Sequence, residues 1–197
     1  AVAALLSPER LVTIAGYTLE ADWRARLLAA ALMAQALRVI FPGENPARAL
    51  GMLRHGSHGA PYVKDGATPE PVICSFSHTR AWSACCLAYG PSLSKGAWPE
   101  GVGIDLEAPL GPEERENIPD YKTAFSAGEW QRILSHAEPW SELVRRWTAK
   151  EAMAKALGTG FFTEPASLDT GRGRSGRVLA NGRLLRWPHV PLAPGHW

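Results

Sequence analysis

Gly101-Val102-Gly103-Ile104-Asp105-Leu106-Glu107 alternates residue by residue, with Val102, Ile104 and Leu106 on one side and Gly103, Asp105 and Glu107 on the other. A period of two is that of extended chain, whose successive side chains point to opposite faces. The segment therefore predicts a strand with its apolar side inward. Asp105 and Glu107 then project together from the opposite side, and two carboxylates so placed can hold one hard cation. Mg²⁺ takes oxygen ligands and is usually held by a few carboxylates with water and substrate phosphate. Taken alone, the pair reads more simply as a solvent-facing strand edge with two ordinary acids.

Downstream, W-T-A-K-E-A-M-A-K-A-L-G runs from Trp147 to Gly158 within a stretch of good helix formers that starts near Ser141 and closes on Gly158 as a C-cap. Trp147, Glu151 and Lys155 are four residues apart and share a helix face, with Lys150 beside them. In isolation this is a surface helix with a Glu–Lys pair worth about 0.2–0.5 kcal/mol. Folded over the strand, it adds a third acid for a metal and a cation for a phosphate. Ser126 and Glu129 have capping-box spacing, with Phe125 and Trp130 as the hydrophobic staple, so a short helix starts there.

Upstream, a long helix is expected from Asp22, as N-cap, to Ile40, stopped by Pro42 and Gly43. Residues 72–89 read as two strands, or a strand and a short helix, around the polar break S-H-T-R. V-L-A-N-G-R-L-L, Val178 to Leu185, carries an Asn-Gly hairpin signal. The order is mixed α and β, with two helix-bearing halves, 1–100 and 101–197, meeting near residue 100. G-R-G-R-S-G, Gly171 to Gly176, matches a dinucleotide-binding pattern by letter only, since no apolar strand precedes it and a hairpin follows.

The chain has 197 residues, of which 46% are hydrophobic and 20% charged, enough for a core without metal or disulfide staples. Cys74, Cys85 and Cys86 read as reduced thiols in a cytoplasmic protein, in small apolar positions of a strand. The longest apolar stretch, Leu27 to Ala34, falls far short of the ~20 residues that cross a bilayer, so no membrane association is expected. Lys and Arg number 21 against 19 Asp and Glu, a net +2 that gives no reason to expect a nucleic-acid partner. The balance is uneven along the chain. Residues 101–168 carry seven basic and eleven acidic groups, and residues 169–197 carry five arginines and one aspartate.

G-I-D-L-E followed some forty residues later by W-T-A-K-E-A resembles the paired signature of the 4′-phosphopantetheinyl transferases, especially the larger surfactin-synthetase-activating type. S-F-S-H-T (Ser75 to Thr79, with Trp82 following) resembles that family's F-N-x-S-H-S segment. G-A-P-Y (Gly59 to Tyr62) resembles its G-K-P element, and F-S-A-G-E-W (Phe125 to Trp130) its F-S-x-x-E. These motifs are weak singly but specific together, in family order over residues 55–162. The resemblance implies an α+β, pseudo-twofold fold of two similar half-domains, a monomer, with coenzyme A in the cleft between them. The half 1–100 would supply coenzyme A contacts and 101–197 the Mg²⁺-binding carboxylates. It implies Mg²⁺-dependent transfer of phosphopantetheine from coenzyme A to a serine of an apo acyl or peptidyl carrier protein, releasing adenosine 3′,5′-bisphosphate. Asp105, Glu107 and Glu151 would bind the metal. Gly59, Pro61, Ser77, His78, Lys150 and Lys155 would contact coenzyme A, and His78, Glu151 and Lys155 would serve the chemistry. For deprotonating the serine, Glu151 and a metal-bound water are candidates, with Glu129 a third.

The sequence also departs from the family pattern. Ala60 stands where lysine is usual and Ala31 where an arginine is, with Arg24 and Arg26 upstream as substitutes. The closing P-G-H-W leads the family into one more strand, so the chain reads as one strand short. These departures keep open a relative that binds carrier protein or coenzyme A without turnover. The same acids would also suit a Mg²⁺-dependent phosphodiester hydrolase.

Overall fold

The computed structural model describes residues 6, 8–16, 19–56, 58–63, 72–79, 81–89, 101–116, 121–160, 163–171, 175–180 and 183–188. The alanine- and leucine-rich stretch forms α2 (Glu20–Ile40), preceded by α1 (Pro8–Ala15) and followed by α3 (Pro46–Gly51). The expected N-cap is corrected: Leu19 caps α2 without a side-chain bond, and Asp22 lies in the first turn with Glu20, where negative charge suits the helix dipole. Strands β1 (Leu53–His55), β2 (Pro61–Val63), β3 (Val72–His78) and β4 (Ser83–Ala88) form an antiparallel sheet in that order. Residues 72–89 are thus two strands, in register from Ile73↔Ala88 to His78↔Ser83.

Alternation along β3 divides the sheet. Val72, Cys74 and Phe76 pack with Val63, Cys85 and Leu87 against Met33, Leu37 and Phe41 of the α2 region and Ala49 of α3. Met33 and Leu37 are wholly buried, each worth about 1.5–3 kcal/mol. The opposite face carries Ser75 and Ser77, both buried. The three cysteines are free thiols; burial pushes Cys74 up to about 12 and Cys86 up to about 11, so neither forms a thiolate at neutral pH.

The second half contains α4 (Pro112–Glu116), α5 (Ala127–Leu134) and α6 (Pro139–Leu157), and the hairpin β5 (Ser175–Ala180) with β6 (Arg183–Pro188). Ser126 and Glu129 form the expected capping box, with Phe125 stacked on Trp130 at 6.2 Å between ring centroids. Helix α6 starts two residues earlier than expected because Pro139 fits the first turn, and ends on Gly158 at φ 69°, a left-handed cap. The Asn181-Gly182 turn, the closing P-G-H-W and residues 172–174 of G-R-G-R-S-G lie outside the described residues. Among the described residues no helix is long and apolar enough to cross a membrane.

The expected strand at residues 101–107 is corrected as well. Residues 101–107 pair with no strand among the described residues. The Ile104 N–H donates to Ser75 Oγ at 3.2 Å and the Leu106 N–H to Ser77 Oγ at 3.1 Å, so serine hydroxyls on the face of β3 replace ladder carbonyls. The glycine side of the segment meets helix rather than solvent. A Cβ at Gly101 would lie 1.8 Å from the Ala156 carbonyl oxygen, and one at Gly103 1.8 Å from that of Ala152. Only glycine permits this approach, because the obstructing atoms are helix backbone. Gly103→Ala is expected to cost about 2–3 kcal/mol of unfolding free energy in urea. Gly43→Ala, where a Cβ meets nothing within 4 Å, should change it little. Equal effects of the two would refute the close-packing account.

Candidate functional site

Because Gly101, Gly103, Asp105 and Glu107 share one side of extended chain, the glycine contact turns both acids toward α6. The i,i+4 face of that helix receives them. Trp147 Nε1–H donates to Glu107 Oε1 at 3.1 Å, and Lys155 Nζ donates to Asp105 Oδ1 at 2.5 Å and to the Ile104 carbonyl at 3.2 Å. The Ser77 hydroxyl donates to Asp105 Oδ1 at 2.9 Å. Asp105 Oδ2 is buried and has no hydrogen-bond partner among the described residues.

Asp105, Glu107, Glu151, Lys155, Ser77 and His78 all line one cavity of about 1000 Å³, together with Arg54, His55 and the turn from His58 to Pro61. Gly59 takes φ 83° in that turn, which Gly56 N–H closes by donating to the Ala60 carbonyl at 2.9 Å. Ala60 lines the cavity with no charge, while Arg26 of α2 reaches it. Arg24 instead pairs with Glu20 at 2.7 Å on the surface.

The carboxylates hold their protons more tightly than usual. Glu107 is pushed up to about 7 by burial, then by the charges of Asp105 and Glu151, against the Trp147 hydrogen bond. Burial, followed by the Asp105 charge, raises Glu151. Burial raises Asp105 despite Lys155 and Ser77. His78 moves the other way: burial, then the Arg26 cation, hold it below its usual 6.5, with Asp22 opposing, so the ring is neutral at pH 7 and donates one N–H. Among the described residues no three His, Cys, Asp or Glu side chains are close enough to hold a metal ion by themselves.

Two expected residues are elsewhere. Lys150 is 1% exposed, and its Nζ donates to Glu129 Oε2 and the Pro165 carbonyl at 2.8 Å and to the Leu168 carbonyl at 2.5 Å. Glu129 is wholly buried: it accepts from the Ser126 N–H, from Lys150, and from the Thr170 N–H and hydroxyl. Neither reaches the cavity, so Lys150 is no coenzyme contact and Glu129 no base for a substrate held there. Sequence reasoning also missed Ser77 as a partner of Asp105, and Trp147 as a partner of Glu107.

Burial alone would raise the Glu129 carboxyl, but the bonds from Lys150 and Thr170 outweigh it and hold it below 4.5. A depressed carboxylate stabilises the fold fully above its unfolded pKa and loses that contribution as pH falls through the folded value. Stability should therefore decline below about pH 4.5, and Glu129→Gln should flatten that part of the profile. Lys150→Met strands a buried carboxylate and should cost about 3 kcal/mol in urea unfolding. Unchanged stability with weaker coenzyme A binding would return Lys150 to the cavity.

A family model described as the 4′-phosphopantetheinyl transferase superfamily matches residues 101–191. The L-aminoadipate-semialdehyde dehydrogenase-phosphopantetheinyl transferase of Rattus norvegicus is 31% identical over 137 residues, covering 61% of this chain and 41% of its own length. That of Homo sapiens is 28% identical over 188 residues, covering 85% and 56%. A holo-[acyl-carrier-protein] synthase of Hydrogenovibrio crunogenus is 48% identical over 66 residues, 31% of this chain and 50% of its own. The chain spans about half the length of the curated relatives it matches. The acid-bearing segment and the Glu151 helix both fall within the residues, 101–191, in which the chain is similar to the 4′-phosphopantetheinyl transferase superfamily.

Proposed function

We propose that this chain transfers the 4′-phosphopantetheine arm of coenzyme A to a serine hydroxyl of an apo acyl or peptidyl carrier protein, releasing adenosine 3′,5′-bisphosphate. One observation carries the reading: three half-buried acids, a lysine and a histidine line a single cavity large enough for most of a dinucleotide-sized ligand. The printed names of the relatives support it, since they are phosphopantetheinyl transferases and a holo-[acyl-carrier-protein] synthase.

The site fits a divalent cation on its own chemistry. Its donors are carboxylate oxygens, the acids repel one another, and Asp105 Oδ2 is buried with no partner among the described residues. Asp105 with Glu107 would hold Mg²⁺, completed by water and pyrophosphate as is usual for that ion, which leaves Glu151 beside them as a base. When bound, it supplies neutralisation of charge on the pyrophosphate oxygens.

The rest of the reaction falls to the chain. Lys155, 28% exposed at the cavity wall, pairs with phosphate oxygen as charge develops. His78 donates its N–H to a second phosphate oxygen. Serine Oγ attacks the phosphorus bearing the pantetheine arm; the new O–P bond forms as the bond to the bridging oxygen breaks, and the bisphosphate leaves with that electron pair. The serine proton passes to Glu151, whose proton affinity is raised by burial and by Asp105. The cytoplasm, a monomeric state and a pseudo-twofold relation of residues 1–100 to 101–197 go with this reading.

Apo carrier proteins of fatty-acid, polyketide and peptide-synthetase type, incubated with coenzyme A and Mg²⁺, should gain one phosphopantetheine by mass spectrometry. Chelation of divalent cations should abolish the gain, and Asp105→Ala or Glu107→Ala should slow it by ~10²–10³-fold. No gain on any carrier, or hydrolysis of coenzyme A with no carrier present, would overturn the proposal.

A further inference from the structure

We propose that Ser77 is a positioning residue that aims Asp105: it fixes which carboxylate oxygen is left for a cation. The inference rests on the cation-binding reading of the site given above. Ser77 is 7% exposed and lies on the β3 face opposite α2. Its hydroxyl has two partners in one short stretch of chain, accepting from the Leu106 N–H at 3.1 Å and donating to Asp105 Oδ1 at 2.9 Å. A hydroxyl has one proton, so accepting from the backbone leaves that proton for the carboxylate.

Asp105 Oδ1 thus receives Ser77 from the sheet side and Lys155 from the helix side. Two donors on one oxygen hold the carboxylate plane and turn Oδ2, buried and without a partner among the described residues, to the remaining direction. Lys155 is long and 28% exposed, free to move toward a phosphate, whereas the serine has one side-chain torsion and sits on a strand hydrogen-bonded to β4. The orientation of Asp105 when Lys155 turns to substrate is therefore Ser77's to keep. Ser75 provides an internal comparison: it takes the Ile104 N–H at 3.2 Å, ties the same segment to the same strand, and has no bond to an acid among the described residues.

The test is Mn²⁺ affinity by calorimetry on the full chain, with urea unfolding alongside. Ser75→Ala removes one tie to the segment and Ser77→Ala two, so both should lower the urea midpoint, Ser77→Ala at least as much. Only Ser77→Ala should weaken Mn²⁺ binding, by about tenfold or more, while Ser75→Ala changes it by less than twofold. Ser77→Thr keeps the hydroxyl and should retain affinity within about threefold, which serves if the alanine variant does not fold. Wild-type Mn²⁺ affinity in Ser77→Ala, equal losses in the Ser75 and Ser77 variants, or loss in Ser77→Thr despite a folded chain would each overturn the proposal. Absence of Mn²⁺ binding in the unmodified chain would instead sink the reading of the site, and this inference with it.

Discussion

Two glycines pressed onto the backbone of a helix decide where the acids go. Gly101 and Gly103 lie so close to the Ala156 and Ala152 carbonyls that no Cβ fits between. Because extended chain alternates, the residues that follow on that side, Asp105 and Glu107, must also face the helix. There they meet Lys155 and Trp147, two turns apart on α6. The cavity, its charge and its raised pKa values follow from this contact, and the serine face of β3 locks it from the other side.

Helix α6 is gripped on its inner side by a different set of charges. Glu142 accepts from Arg145 at 2.7 Å and forms an ion pair with Arg146 at 2.7 Å, Arg146 donates to Thr170 at 2.7 Å, and Lys150 joins Glu129 on α5. Acids on the two sides of one helix have opposite behaviour. Toward the cleft, burial and like charge raise Glu107 and Glu151; toward the interior, burial is outweighed by arginine and lysine partners, and Glu142 and Glu129 are lowered. The interior acids keep their charges through their arginine and lysine partners. Charge is left uncompensated where a ligand enters.

Much of this was legible in the sequence. Capping box, staple, left-handed glycine cap and the Trp147–Glu151–Lys155 face are local patterns, set by residues within a turn or two of each other. The alternation of residues 101–107 reported that Gly101 and Gly103 share a side, but the strand it predicted is absent among the described residues, since period alone does not say whether the neighbour is a strand, a serine hydroxyl or a helix. Lys150 and Lys155 differ by five residues, about 140° around a helix, and so look to different sides. Nothing in the composition says which side is the cleft. Ser77 and Asp105 are 28 residues apart in sequence, and their bond depends on the sheet and the segment meeting. No short-range pattern contains it.

The most direct measurement of the central claim is an anomalous difference map from crystals of this chain grown with Mn²⁺ and coenzyme A. The account predicts a manganese peak at coordination distance from Asp105 Oδ2, between the acid-bearing segment and α6, with coenzyme A pyrophosphate beside it. Manganese elsewhere, or coenzyme A bound in that cavity with Asp105 and Glu107 turned away from it, would contradict the account.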